Sequence, residues 1–469
     1  MIPPPSRHFS RRDTLVLGAA LGSAFALPAA AQADFHALAP RPPMGLNSWD
    51  SFATAIDEGQ ALEVAAIMAE KLKPHGYDVF TIDAQWFEPG ANSYTYRDKP
   101  PLVMDGHARL MPAVNRFPSA AGGAGFRPLA ERVHAMGLRF GHHLMRGIPR
   151  QAVERDLPIL GASKGGRPIT ARDIADVNSV CAWNADNYGV DMSKPGAQAY
   201  YDSVYRLLAS WGVDFVKVDD MSRPYAEHRP EIEAVRRAID RCGRPMVLSL
   251  SPGETPLAAA DHVRAHANMW RVSDDFWDHW PLLRDQFARL AAWAPLKVPG
   301  AWPDADMLPL GLLDQGRRQT NFTPDEQRTL MTLWCVAQSP LIMGGDLRHL
   351  DPATLDLLTN DEVLAVNQRA HGARQLYARD GLVAWMSRPQ RGGGVNLALF
   401  NTRDRRDADP AEGLPVQAPL SELGLSGAVK ARDLWRKADL GSVARDWAPT
   451  VPWHGASLFH LSRSGAARS

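Results

Sequence analysis

Cysteine, net charge and long apolar runs are all scarce in this chain of 469 residues. Cys181, Cys242 and Cys335 are its only cysteines. They are too few and too scattered for a disulfide framework or a zinc site. The 52 Lys+Arg are balanced by 52 Asp+Glu, which argues against a dedicated nucleic-acid binder. Past the N-terminus, no stretch approaches the ~18 unbroken apolar residues of a membrane span. No Gly-x-Gly-x-x-Gly follows the first strand-like run, which disfavours a dinucleotide-binding sheet. No internal repeat or low-complexity tract is present either. With 45% hydrophobic and 22% charged residues, the composition excludes a disordered chain and fits a folded one.

Residues 1–33 read as an export leader. Ser10-Arg11-Arg12-Asp13-Thr14-Leu15 places a twin arginine before the apolar run Leu15–Leu27, and Ala31-Gln32-Ala33 offers a cleavage site. The run is too short and too rich in Ala and Gly for a convincing span, so an uncleaved anchor is the weaker reading. The expectation is twin-arginine export to the periplasm or beyond, with no stable membrane association after cleavage. In that compartment the cysteines are expected to be buried or partly paired.

From residue 38 to 370, apolar runs alternate with amphipathic segments. The strand-like runs are Met44–Trp49, Val79–Ala84, Arg139–Met145, Phe215–Asp220, Pro245–Ser251, Met269–Asp275, Pro295–Ala301 and Pro340–Gly345. Helical patterns between them include Gly59–Leu72, Pro128–Met136, Pro195–Trp211 and Pro230–Cys242. Such alternation signals βα units and a parallel sheet. Eight units predict a (β/α)8 barrel, a TIM barrel. From 371 to 463 the texture changes to short β-like runs: Gln375–Ala378, Leu382–Ser387, Val395–Phe400 and Ser457–Leu461. These predict a small antiparallel β-sandwich domain. Residues 464–469 read as a frayed tail.

In such a barrel, chemistry gathers at the C-terminal ends of the strands. Those ends carry Trp49, Asp83, Gln85, Trp86, His142, His143, Lys217, Asp219, Ser251, Arg271, Asp275, Trp302 and Asp304. Tryptophan faces suit sugar rings, and carboxylates and amides suit hydroxyls, so the mixture suggests a polyhydroxylated substrate. Individually, Asp304 and Asp306 read as helix N-caps. Period-two alternation puts Lys217 and Asp219 on the inner face, with Val216 and Val218 toward the helices. The lysine favours an ionised Asp219, as a nucleophile requires. The same count groups Arg271, Ser273 and Asp275 and sets Asp274 opposite. Asp219 as nucleophile and Asp275 as acid/base are the pair needed for glycoside hydrolysis. Burial and the Asp219 charge are expected to raise the pKa of Asp275, with Arg271 acting chiefly as a donor to substrate hydroxyls. Other readings are a Lys217 Schiff-base lyase and a glycan-binding barrel without catalysis. His142, His143 and Asp83 lack metal-ligand spacing, so neither a metal nor a cofactor is expected. The expected partner is an oligosaccharide or polysaccharide; the sequence sets no oligomeric state.

At this point the chain resembles glycoside hydrolase family 27, the α-galactosidase and α-N-acetylgalactosaminidase family. The motifs that carry the resemblance are Pro42-Pro43-Met44-Gly45-Leu46-Asn47-Ser48-Trp49, Thr81-Ile82-Asp83, Gly212-Val213-Asp214-Phe215-Val216-Lys217-Val218-Asp219 and Trp270-Arg271-Val272-Ser273-Asp274-Asp275. Trp302-Pro303-Asp304-Ala305-Asp306-Met307-Leu308, Gln338 to Leu347 and Leu358 to Gln368 complete them in family order. The resemblance implies a retaining mechanism with Asp219 as nucleophile and Asp275 as acid/base, their carboxyls about 5–6 Å apart. It implies sugar ligands at Lys217, Arg271, Trp49 and Asp83.

The chain departs from the family at named positions. Galactose-binding members carry a second aspartate where Ala84 stands, a pair that grips the hydroxyls at carbons 4 and 6. Gln85 is a candidate stand-in. Ser251 is nearer to the N-acetylgalactosaminidase pattern, and His143 stands where tyrosine is common. The segment 146–178 reads as an enlarged loop over the mouth. The expected activity is release of terminal α-linked galactose. The alternatives within the class are α-N-acetylgalactosaminidase, β-L-arabinopyranosidase and isomaltose-releasing dextranase.

Overall fold

The computed structural model describes residues 34–425 and 428–463. The expected leader and tail lie outside the described residues. Eight short strands form one parallel sheet: β1 (Met44–Asn47), β2 (Val79–Ile82), β3 (Arg139–Met145), β4 (Phe215–Asp219), β5 (Val247–Leu250), β6 (Met269–Arg271), β7 (Trp302–Asp304) and β8 (Leu341–Met343). Hydrogen-bonded neighbours run β7-β6-β5-β4-β3-β2-β1-β8. The ring closes just past β7, where Leu308 N donates to Ile342 O at 2.8 Å and Leu308 O accepts from Gly344 N at 3.0 Å. These strands are buried on both faces, which is why the sequence shows them as unbroken apolar runs. Gly45 lets β1 approach β2: a Cβ there would lie 2.1 Å from Val79 O.

The helices around the sheet include α1 (Glu58–Lys71), α2 (Arg127–Ala135), α3 (Ala197–Trp211), α4 (Tyr225–Arg241), α5 (Trp280–Trp293), α6 (Pro324–Ala337) and α7 (Asp361–Gln368). Sequence chemistry sets their ends. Asp57 and Gln60 form a capping box on α1, and Thr323 and Glu326 form another on α6. Gly196 and Gly212, both left-handed, bracket α3.

One strand differs from expectation. The seventh is Trp302–Asp304, not Pro295–Ala301. Pro295 and Pro299 cannot donate to a ladder, and residues 294–296 form a 3-10 turn instead. The segment 146–178 is the first part of an ordered insertion that runs to residue 190, rather than a bare loop. It contains a hairpin (Pro158–Lys164 with Arg167–Thr170), two helical turns and the strand Ala175–Val180 paired with Asn187–Val190. All three cysteines are free.

The C-terminal part forms a six-stranded antiparallel sheet: β9 (Ala370–Arg379), β10 (Leu382–Pro389), β11 (Val395–Asn401), β12 (Val429–Asp433), β13 (Ala438–Val443) and β14 (Ala456–Arg463), ordered β9-β10-β11-β14-β12-β13. Leu414–Pro415 pairs with Thr450–Val451 alongside it. One face packs on the barrel, where Trp385, Phe400 and Leu458 join the main core and Phe287 of α5 meets Phe400 edge-on at 4.9 Å. His454 pins the seam. Its ring stacks on Trp280 at 3.8 Å, with Nδ1 2.8 Å from Glu326 and Nε2 2.9 Å from Asp404.

Partial burial would lower the pKa of His454, but Glu326 and Asp404 outweigh it and raise the pKa. A histidine whose folded pKa is raised contributes stability that is full below the unfolded value and lost as pH rises through the folded one. Thermal unfolding is therefore expected to show a stability contribution that declines above about pH 6.5. His454→Gln should lower Tm by roughly 2 °C at pH 6 and by less at pH 8.5. An equal loss at both pH values would refute the ionic role.

Candidate active site

At the C-terminal mouth of the barrel, β4 presents Lys217 and Asp219 inward. Lys217 Nζ donates to Asp83 Oδ2 at 2.9 Å and lies 3.7 Å from Asp219 Oδ1. Asp83 also accepts from Asn47 Nδ2 at 2.6 Å and from Ala84 N at 2.8 Å. His143, buried at the end of β3, places Nε2 2.9 Å from Asp219 Oδ2. Burial alone would raise both carboxylates. Lys217 first and His143 second outweigh it and hold Asp83 and Asp219 below the ordinary aspartate range. The two carboxylates in turn lift Lys217 well above its usual value against its own desolvation. Asp219 is thus an ionised, buried carboxylate facing the pocket.

Across the mouth, Arg271 closes β6. Its guanidinium lies 2.7 Å from Asp306 Oδ2, 3.4 Å from Ser251 Oγ and 3.3 Å from Asp275 Oδ1. Asp274 turns away to an exposed pair with Arg223, so Asp275 is the carboxylate of this segment that enters the site. The strand ends at Arg271, however, and the alternation does not extend past it: Ser273 Oγ accepts from Gln286 of α5. Asp275 is also not buried, its side chain being 57% exposed. The expected burial is absent, because the chain has left the ladder and climbed to the rim.

Asp304 and Asp306 are not helix caps; the next long helix begins at Pro324 with Thr323 as its cap. Asp306, in left-handed conformation, accepts from Phe276 N at 2.7 Å and faces Arg271. Burial first, then Asp275 and Asp304, push its pKa to about 7 against the pull of Arg271.

Two predicted ligands lie elsewhere. Trp86 is fully buried on the outside of the barrel, edge-on to Phe87, His142 and Trp211, and its Nε1 donates to His143 O at 2.7 Å. Trp302 opens β7 rather than closing it. It sits low in the barrel among Val79, Phe215 and Met269, donating to Ala39 O at 2.8 Å. Neither can stack on a sugar at the mouth. His142 belongs to the same aromatic cluster as Trp86, where burial lowers its pKa to about 4. Gln85 is buried and left-handed, and its Nε2 is committed to Asp186 of the insertion at 2.6 Å. That amide ties the insertion to the mouth.

Trp49 is half-buried, stacked on Tyr96 at 5.9 Å and edge-on to Tyr94 at 5.5 Å; Tyr94 is edge-on to Trp277 at 5.8 Å. Tyr94, Tyr96 and Trp277 were not anticipated, because they lie in loops without periodic signal. Burial and then the charges of Asp219, Asp83 and Asp275 raise the pKa of the Tyr96 hydroxyl. Asp50 was also missed. It is fully buried, its Oδ2 has no partner, and burial and Asp306 push it well above the ordinary range. Its one sequence signal is that it follows Trp49 at the end of β1.

Behind Asp219, Arg146 fixes the backbone. Its amide donates to Asp219 O at 3.0 Å. Its guanidinium binds Asp220 Oδ2 at 2.8 Å and Glu231 Oε1 at 2.6 Å. Asp220 is held at φ 62°, a strained setting that needs such over-determination.

Replacing Lys217 by alanine removes the cation that keeps Asp219 ionised. Catalysis is expected to fall by about 10²-fold or more, and the acid limb of the kcat/KM profile should move to higher pH, since Asp219 then protonates more readily. An unmoved acid limb would show that Lys217 does not set the state of Asp219.

Comparisons with known proteins agree with this fold. Residues 185–369 match the model of alpha galactosidase A, and residues 380–461 match the alpha galactosidase C-terminal beta sandwich domain. The chain is 51% identical to a crystallised family 27 β-L-arabinopyranosidase from Geobacillus stearothermophilus. That match covers 92% of this chain and 99% of the other, with a TM-score of 0.87. Alpha-galactosidase A of Cellvibrio japonicus is 27% identical, over 84% of both chains. Alpha-galactosidase I of Mortierella vinacea shares the fold, with a TM-score of 0.70 at 22% identity over 92% of this chain and 100% of the other.

Proposed function

The chain belongs to glycoside hydrolase family 27, and from that premise we propose that it is a retaining glycosidase that releases terminal β-L-arabinopyranose and, more slowly, α-D-galactose. The two sugars share configuration from C1 to C4. They differ in the hydroxymethyl group at C5, which L-arabinopyranose lacks. The observation that carries the reading is Ala84, a buried methyl beside Asp83. In the family's galactose-binding members a second aspartate stands there and helps hold the C6 hydroxyl. A sugar without C6 has no use for it. Gln85 does not replace it, its amide being bound to Asp186. The 51% identity to a β-L-arabinopyranosidase points the same way.

The proposed mechanism follows from the two carboxylates. The Asp219 carboxylate attacks the anomeric carbon while the Asp275 carboxylic acid protonates the glycosidic oxygen, which departs as the aglycone alcohol. A glycosyl ester on Asp219 results. Asp275, now a carboxylate, takes a proton from water, whose oxygen attacks the anomeric carbon and frees Asp219 with net retention. In this reading Asp83 and Lys217 hold ring hydroxyls through both steps, and Trp49 faces the ring. The twin-arginine segment supports export as the cellular setting, which fractionation of expressing cells would test.

Assays with p-nitrophenyl β-L-arabinopyranoside and α-D-galactopyranoside test the sugar. The arabinopyranoside is expected to have at least about tenfold higher kcat/KM, a margin worth ~1.4 kcal/mol. Ala84→Asp should narrow that margin by improving the galactoside. Asp219→Asn should abolish both activities by about 10⁴-fold or more. A galactoside preference in the wild type would assign the chain to the α-galactosidases proper. An inverted first-formed anomer by NMR would sink the mechanism.

A further inference from the structure

On the outer wall of the barrel, α4 and the short helix Ala260–Arg264 that follows β5 bring together Glu233, His262 and His266. One ligating atom from each residue lies within 4.8 Å of the others. We infer that these three side chains form a binding site for a borderline divalent cation of the Zn²⁺ class, clamping α4 to the element that follows β5. Nothing in the glycosidase mechanism uses these residues, so the inference is independent of the proposed substrate.

The orientation of the rings carries the argument. His266 Nδ1 donates to His262 O at 2.7 Å, which fixes the tautomer and leaves a lone pair on Nε2. His262 Nδ1 is engaged by the Tyr225 hydroxyl at 2.9 Å, so its Nε2 is the nitrogen that faces Glu233. Metal-binding histidines are aimed in this way, with one ring nitrogen held by an outer partner and the other presented to the ion. The two rings are stacked, 4.2 Å apart and 25° from parallel. His262 Nε2 and Glu233 Oε1 are 3.3 Å apart. Two ligands on a tetrahedral ion with bonds of about 2.0–2.1 Å are separated by about 3.3 Å.

Two imidazoles and one carboxylate suit Zn²⁺, Cu²⁺ or Ni²⁺ rather than Mg²⁺ or Ca²⁺, which prefer oxygen ligands. A fourth position is left for water. The charged groups facing the site are Arg237, 3.5 Å from Glu233 Oε2, and Arg229, whose charge bears on His262. Both oppose a cation and keep the affinity moderate. Tyr225 begins α4, six residues after Asp219, so the clamp braces the segment that leaves the nucleophile strand.

Titration of the whole chain with ZnCl₂ by calorimetry tests the site, with thermal melts in parallel. The expected result at pH 7.5 is one saturable ion per chain with micromolar Kd and a rise in Tm with Zn²⁺ concentration. His266→Gln and Glu233→Gln should each raise Kd by at least about tenfold and cancel the Zn²⁺-dependent rise in Tm. Activity measured without metal should be unchanged in His266→Gln. The inference is overturned if no saturable binding occurs below 1 mM, roughly the weak end of biological metal affinities. It is equally overturned if the double variant His266→Gln/Glu233→Gln binds like the wild type.

Discussion

The ammonium of Lys217 organises the mouth of this barrel. It stands between Asp83 and Asp219, and with Arg271 it faces a ring of carboxylates that also includes Asp50, Asp275, Asp304 and Asp306. Two fixed cations cannot neutralise that many buried acids, so the site divides them. The pair in reach of Lys217 is driven down and stays ionised. Asp50, Asp304 and Asp306 are driven up, chiefly by burial. The division matters chemically. A nucleophile must carry its charge at working pH, while neutral carboxyls can donate hydrogen bonds to sugar oxygens. One fold thus holds aspartates of opposite pKa tendency within a single mouth, using a single residue type.

Much of this was legible in the chain itself. Eight apolar runs in alternation with amphipathic segments fixed the barrel, because a parallel sheet covered on both faces leaves little polar alternation to confuse the reading. Alternation inside β4 placed Lys217 and Asp219 correctly, since both lie within the ladder. It failed at Ser273, two residues beyond the end of β6. It also failed at Trp302, where the prolines at 295 and 299 displaced the strand and reversed which end of it the tryptophan occupies. Trp86 failed for another reason. A tryptophan four residues past a strand can turn toward either the mouth or the helices, and its core partners Phe126 and Trp211 come from distant parts of the sequence. Tyr94 and Tyr96 were invisible because an irregular loop carries no period. The state of Asp50 was invisible because burial depends on Gly344, almost 300 residues away: a Cβ on Gly344 would lie 2.0 Å from the Asp50 carboxylate.

The insertion after β3 shows how a specialised mouth is fastened to a general scaffold. It is tied in twice, by Gln85 to Asp186 and by Arg146 to the Asp220–Glu231 pair. Both anchors sit one or two residues from groups in the site. Arg146 bridges the last residues of β3, the residue after the nucleophile and the middle of α4. Small changes in the insertion therefore act on the backbone of Asp219 itself, rather than on the rim alone.

Ala84 can be understood in the same electrostatic terms. A second aspartate beside Asp83 would add a further buried negative charge to a mouth where three acids are already pushed above their ordinary range. A substrate can offset that cost by donating hydroxyls to the new carboxylate, as the C6 hydroxyl of galactose would. A sugar without C6 lacks that donor, so the new carboxylate would have one partner fewer and the cost of burying it would be less fully offset. The methyl of Ala84 avoids that further buried charge. On the proposed reading, a preference for the smaller sugar needs no new attractive contact; one charge fewer in a crowded site favours it.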